Sequence, residues 1–333
     1  YDLEDYEEYL NNHITPSWAE WIFVVIYFLT FIMGLVGNSL VVFAVWKNHS
    51  MRTVTNVFIV NLAIGDFLVI SLCLPPTLVQ DITFTWFLGL TMCKLLLFLQ
   101  NLSVSVSVLT LSAISIERWY AICHPLRFKS TLSRARNMII IIWIVSAGAA
   151  LPELVVAQTY PYVYKPPFTS FLLTSCRPSW DPWVQSIYQT ALMIVMYLFP
   201  LTLMALTYAN IAYVLWRKEI PGEIRKYELS FLLTSASLLF SPNRAIRKPS
   251  ITLSMIKNKL QSRRRAAKML ITIVVVFALC YLPVHLLNML RYFGVLVDLD
   301  EEKATLQSLA SHWLPYLNSS INPVIYNFMS GRW

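Results

Sequence analysis

Asp66 lies in the middle of a long apolar stretch, where an ionisable side chain is costly and by default has a task. Asn38, Ser107, Asn318 and Asn322 fall at comparable depths on other apolar stretches, so a polar cluster around Asp66 is expected. One carboxylate among neutral oxygens suits a monovalent cation, sodium in particular. The plainer reading is a hydrogen-bonded clamp between helices. Glu117-Arg118-Trp119 closes another stretch with opposite charges on adjacent residues. There the carboxylate can hold the guanidinium until a partner protein claims it, although an arginine at such an edge can also simply snorkel. Toward the opposite ends of the stretches stand Thr77, Gln100, Asn288, His312 and Tyr316, hydrogen-bonders that are neutral or weakly basic. Catalysis is not expected. The five histidines (His13, His49, His124, His285, His312) show no metal-ligand spacing, and no nucleophile motif is present.

The elements that must position these residues follow from composition. Of 333 residues, 57% are hydrophobic and 13% charged, with a mean hydropathy of +0.57. Soluble chains run near about 45–50% apolar and about 25% charged, so an integral membrane protein is indicated. A spanning helix needs about 20 mostly apolar residues. Such stretches occur near 19–46, 54–79, 92–123, 137–157, 185–216, 267–291 and 306–329. The expected fold is therefore an all-α bundle of seven transmembrane helices over 19–330, after an N-terminal segment 1–18 and with a long loop at 217–266. Ser103, Ser105 and Ser107 make the third span the most polar, so it should sit among its neighbours. Pro75, Pro76, Pro152, Pro200, Pro283 and Pro323 fall inside spans, where a bundle tolerates kinks. No repeat relates the two halves. Beginning at Tyr1 and ending at Trp333, the chain is expected to be trimmed at both ends.

Charge assigns the sides. The stretch 217–268 alone carries half of the chain's 26 lysines and arginines, and Lys47, Arg52, Arg118, Arg127, Lys129, Arg134, Arg136 and Arg332 fall on the same face. The opposite face has five basic residues (Lys94, Lys165, Arg177, Arg291, Lys303) against 13 acids. By the positive-inside rule the basic face is cytoplasmic and the N-terminus extracellular. The net charge of +8 thus reflects topology and attraction to anionic lipid, not nucleic acid. Cys93 and Cys176 both face the oxidising side, which predicts a bridge between them. Three glycosylation sequons are cytoplasmic (Asn48) or intramembrane (Asn101, Asn318) and should stay unmodified.

One motif per span, in order, carries a resemblance. Gly37-Asn38, Asn61-Leu62-Ala63-x-x-Asp66, Glu117-Arg118-Trp119, Trp143, Pro200 with Tyr208, Phe277-x-x-Cys280-Tyr281-x-Pro283 and Asn322-Pro323-x-x-Tyr326 together resemble the rhodopsin-like G-protein-coupled receptors. Within them, 44–48, 51–56, 103–112, 118–125 and 280–283 are most similar to the orexin receptors and their invertebrate relatives, the allatotropin receptors. The resemblance implies a multi-pass plasma-membrane receptor for an amidated peptide, coupled to a heterotrimeric G protein, calcium-mobilising, and regulated by arrestin. It also implies that Glu117, Arg118, Tyr208, Phe277, Tyr281, Pro283, Asn322, Pro323 and Tyr326 form the activation switch. Tyr281 replaces the usual tryptophan, as in the orexin group, and Glu117 replaces the commoner aspartate. An apolar run, Phe231–Phe240, interrupts the basic loop and is too short to span.

By the same resemblance Gln100, Asn288, His312 and Tyr316 line the ligand pocket. Monoamine receptors carry an aspartate where Gln100 stands, which disfavours an amine ligand. An amidated terminus, with donors and an acceptor but no charge, suits Gln and Asn. Glu153, after Pro152, departs from the glutamine expected in orexin receptors. The allatotropin-type peptides implied by the resemblance end in Arg-Gly-Phe-amide, so Glu153 is expected to read that arginine. A receptor for another amidated neuropeptide is the close alternative. A retinal pigment would need a lysine mid-span in the seventh helix, where Lys303 reaches only the rim, and a transporter or pump would need more buried charge than Asp66.

Overall fold

The computed structural model describes residues 15–125, 131–165, 168–216, 249–293 and 301–330. The acidic segment 1–12 and the run Phe231–Phe240 lie outside the described residues. Seven long helices follow one another: α1 (Trp18–Lys47), α2 (Val54–Thr83), α3 (Gly89–Cys123), α4 (Leu132–Val156), α5 (Pro182–Trp216), α6 (Pro249–Tyr292) and α7 (Glu301–Ser330). Their starts are written in the sequence. Ser17 accepts from the Glu20 N–H while Glu20 accepts from the Ser17 N–H, a reciprocal cap on α1. Thr53 and Thr131 cap α2 and α4 with a single bond each, the hydroxyl accepting from the N–H of Asn56 and of Arg134.

Two spans are irregular. At Cys73, α2 breaks and restarts with Leu74-Pro75-Pro76, a place where proline costs little because first-turn N–H groups lack helical acceptors. In α5, Ile194–Leu198 form a wider π turn just before Pro200. α6 begins at Pro249, well ahead of the apolar stretch expected from 267, so it carries several turns of basic helix into the cytoplasm.

Among the described residues, six helices are apolar enough to be recognised as spans by hydropathy. α7 is the exception because it turns Ser311, Asn318, Ser319, Ser320 and Asn322 inward, all buried. Outward faces are apolar: Phe28, Leu29 and Leu40 of α1 and Ile144, Leu151 and Val155 of α4 are exposed to what must be lipid. Trp18 and Trp21 at one end of α1 and Trp46 at the other mark the two interfaces. Inside, Met204, Ile211, Leu215, Phe277 and Tyr326 form the largest apolar core. α1 approaches its neighbours closely at glycine. A Cβ at Gly34 would fall on the Ile70 and Ser320 side chains, and one at Gly37 would sit 3.0 Å from Pro323.

Between α4 and α5 the chain forms an antiparallel hairpin, β1 (Ala157–Lys165) and β2 (Phe168–Pro178). Register shifts between Tyr160 and Tyr162, the position of Pro161, which has no N–H for the ladder. The Cys93–Cys176 disulfide ties the hairpin to the outer end of α3. Trp86 N–H donates to the Thr174 carbonyl at 2.7 Å, and Leu173 N–H donates to Thr85 Oγ1 at 3.0 Å. The hairpin is therefore fixed as a rim over the bundle. Leu173 adopts a φ of 64°, a left-handed conformation that these two bonds brace.

Candidate functional site

Three polar layers are stacked along the bundle. In the outer one, Gln100 Nε2 on α3 donates to Thr77 Oγ1 of α2 at 3.0 Å and to the Tyr316 hydroxyl of α7 at 2.9 Å. Thr77 and Tyr316 are themselves 2.9 Å apart. Thr77 and Tyr316 are buried, and no charge enters this triad. One turn outward on α7, His312 does not join it; Nδ1 lies 2.9 Å from Asp81 Oδ2 on α2. Glu153 faces the other side of α3. Its Oε1 accepts from Asn101 Nδ2 at 3.0 Å, while buried Oε2 meets no donor. Asn288 is half-buried on α6 and takes part in none of these bonds; it shares a helix face with His285 and Tyr281.

The middle layer centres on Asp66, which is fully buried. Asn322 Nδ2 donates to Asp66 Oδ2 at 2.8 Å and Ser107 Oγ to Oδ1 at 3.4 Å, joining α2, α3 and α7. Asn38 takes different partners, donating to the carbonyls of Gly34 and Ser319. The side-chain oxygens of Asn38, Asn318 and Asn322 are buried without donors. A carboxylate with a hydroxyl and unsatisfied carbonyl oxygens is a donor set that fits a hard monovalent cation. Asn61 makes a second knot, donating to Thr110 Oγ1 and accepting from Trp143 Nε1, each at 2.8 Å.

From the outer layer an aromatic run descends along α6. His285 stacks on Tyr197 at 4.8 Å between ring centroids, and Tyr281 on Phe277 at 4.7 Å. The Tyr197 hydroxyl donates to the Ala278 carbonyl at 2.8 Å, linking α5 to α6 one turn before Pro283. Tyr197 lies within the π turn of α5, whose extra residue brings it to this interface.

In the inner layer Arg118 Nε donates to Glu117 Oε2 at 2.6 Å. The pair borders a cytoplasmic cavity of about 1140 Å³, walled also by Tyr208, Ile211, Met269 and Leu270. Arg264 of α6 donates twice to the Leu215 carbonyl, at 2.9 and 2.7 Å, and packs over the Trp216 ring. A cation at a helix C-terminus satisfies carbonyls that have no helical donor.

Sequence reasoning missed several of these partners. Asp81 was one acid among 13 on the outer face and Asn101 only an unusable sequon, because pairing across helices depends on rotation about their axes. Tyr197 was hidden by the π turn, which breaks the 3.6-residue period.

Residues 37–326 match the family described as "7 transmembrane receptor (rhodopsin family)". The chain is 33% identical over 317 residues to the QRFP-like peptide receptor of Branchiostoma floridae, covering 94% of this chain and 75% of that receptor.

Proposed function

The chain belongs to the rhodopsin family of seven-transmembrane receptors, and from that premise we propose that it is a G-protein-coupled receptor for an amidated neuropeptide of the allatotropin and orexin type. One observation carries the ligand class: the polar triad of Gln100, Thr77 and Tyr316 that joins the outer parts of α2, α3 and α7 holds no charge. A carboxamide offers both a donor and an acceptor to such a triad, whereas an ammonium would find no carboxylate in it. Asn288 and His312 would complete the ligand contacts, His312 being held by Asp81. Glu153 is the place for a basic ligand side chain, since its second oxygen has no donor. The acidic outer face steers a cationic peptide inward. A different amidated neuropeptide is the second reading, and the similarity to a QRFP-like peptide receptor of Branchiostoma floridae favours a peptide over an amine.

At the cytoplasmic end the cavity beside Arg118 takes the G protein, and arrestin competes there after activation. Agonist contact at the outer layer repacks Tyr281 and Phe277, α6 pivots at Pro283, and Asn322, Pro323 and Tyr326 adjust in α7. Arg118 then exchanges Glu117 for the partner. Asp66, Ser107, Asn318 and Asn322, with Asn38 beside them, would hold a sodium ion that favours the inactive state. Bound, the ion supplies charge balance for the buried carboxylate.

The test is expression in cells with a calcium readout and a panel of synthetic peptides, each amidated and as free acid, beside biogenic amines. Response to an amidated peptide with loss for its free acid is expected. Activation by an amine, or by free acid as well as amide, overturns the proposed ligand class.

A further inference from the structure

Among the described residues, the walls of the cytoplasmic cavity hold more positive charge than the acids beside them neutralise. Arg118, Arg263 and Arg265 border it, and Glu117, already bonded to Arg118, is the one carboxylate among the described wall residues. The neighbouring arginine does not add to this: Arg264 is turned to the end of α5. Neutral donors accompany the guanidiniums. Asn258 and Gln261 are exposed on the α6 face that carries Arg265, at helical spacings that put them together. Across the cavity, Asn48 Oδ1 is used by the Ser50 N–H and hydroxyl, which leaves the Asn48 amide N–H₂ as the available group. Like charges repel in a partly enclosed space, and guanidiniums with planar forks match phosphate oxygens in pairs.

We infer that this cavity is a binding site for a polyphosphorylated inositol ring, bridging Arg263 and Arg265 of α6 to Arg118 of α3 and Asn48 of the first inner loop. At about 1140 Å³ it exceeds the roughly 300–1,000 Å³ of ordinary small-molecule pockets. Each phosphate carries about −1.5 to −2 charges at neutral pH, so one balances Arg263 and Arg265 and a second can engage Arg118. The same chemistry comes from a free inositol polyphosphate or from a phosphoinositide headgroup at the inner leaflet. Either occupant covers Arg118, and its competition with a G protein rests on the receptor function proposed above; the binding does not.

The experiment uses the full chain in phosphatidylcholine nanodiscs titrated with inositol hexakisphosphate at fixed ionic strength, read by calorimetry and thermal melting. Saturable binding is expected, weakened about tenfold by Arg263→Gln and again by Arg265→Gln. Arg136→Gln, an exposed charge on α4 outside the cavity, should bind like the parent. Gln261→Glu keeps shape while adding a like charge to the phosphates, and should weaken binding even where an arginine variant fails to fold. Stabilisation only in nanodiscs doped with phosphatidylinositol bisphosphate, lost in the variants, assigns the headgroup as source. No effect from either source, equal stabilisation by sulfate, or unchanged binding in all cavity variants overturns the site. Loss of nucleotide exchange on added G protein when the polyphosphate binds supports competition. Absence of exchange without any polyphosphate counts against the receptor reading alone.

Discussion

Asp81 Oδ2 on α2 and His312 Nδ1 on α7 lie 2.9 Å apart, above the Gln100 triad and partly open to the outside. The pair fixes the imidazole of a proposed ligand contact from a neighbouring helix. Asp81→Asn should therefore lower peptide potency without a change in peptide chemistry, and His312→Asn should add little on top. A double-mutant cycle on potency is expected to give a coupling of about 0.5–3 kcal/mol, the range for residues in contact. Simple additivity would mean that the two act separately.

Gly34 and Gly148 make opposite predictions for the same kind of change. A side chain at Gly34 must displace Ile70 and Ser320, so Gly34→Val should cost about 1–3 kcal/mol through overpacking. Nothing lies within 4 Å of a Cβ at Gly148 on the lipid face of α4. Gly148→Ala should be neutral or raise the melting temperature, since helical glycine costs roughly 0.5–1 kcal/mol relative to alanine. Melting of the purified chain in detergent decides both.

Trp143→Phe removes the indole donor to Asn61 Oδ1 and little volume. An acceptor left without its donor in a buried knot costs about 1–3 kcal/mol. Reduced thermal stability with normal peptide potency in the surviving receptor is expected; a shift in potency alone would place Trp143 in signalling instead.

Breaking the restraint on Arg118 should raise basal activity. Glu117→Gln keeps the shape and removes the charge that Arg118 Nε meets at 2.6 Å. Loss of about 1 kcal/mol of bias toward the inactive state shifts a two-state equilibrium about fivefold. Agonist-free signalling at matched surface expression measures it, and no change would remove the pair from the switch.

Glu153 should recognise a ligand guanidinium. Pairing Glu153→Gln with an arginine-to-citrulline peptide removes each charge while keeping shape. A direct pair predicts a coupling of about 1.5–7 kcal/mol, as for close interfacial charges. Additive losses would show that Glu153, one oxygen of which Asn101 already holds, does not touch that arginine.

What could be read from the sequence was whatever depends on order along the chain. Apolar runs locate the spans, charge asymmetry orients them, and the cysteines on one side of the membrane form the observed bridge. Asp66 meets Ser107 and Asn322 because depth in a bilayer can be counted from the ends of a helix. Rotation cannot be counted so easily. Gln100 and Asn101 are adjacent, yet one reaches α2 and α7 and the other α4, a division set by how α3 is turned. The hairpin was harder still, because Pro161 interrupts the alternating pattern of β1 that would have marked it.

The π turn at Ile194–Leu198 makes α5 a helix with two phases. Each residue of an α-helix advances the chain by about 100°, so one surplus residue offsets the outer half, where Tyr188 meets α4 and Thr190 meets α6, from the inner half, which carries Tyr208. Deleting a single residue there would leave α5 just as apolar and nearly as long. It would nevertheless swing every side chain on one half away from its present neighbour. In this span length is expendable and angular bookkeeping is not, so insertions and deletions should be tolerated far less than substitutions.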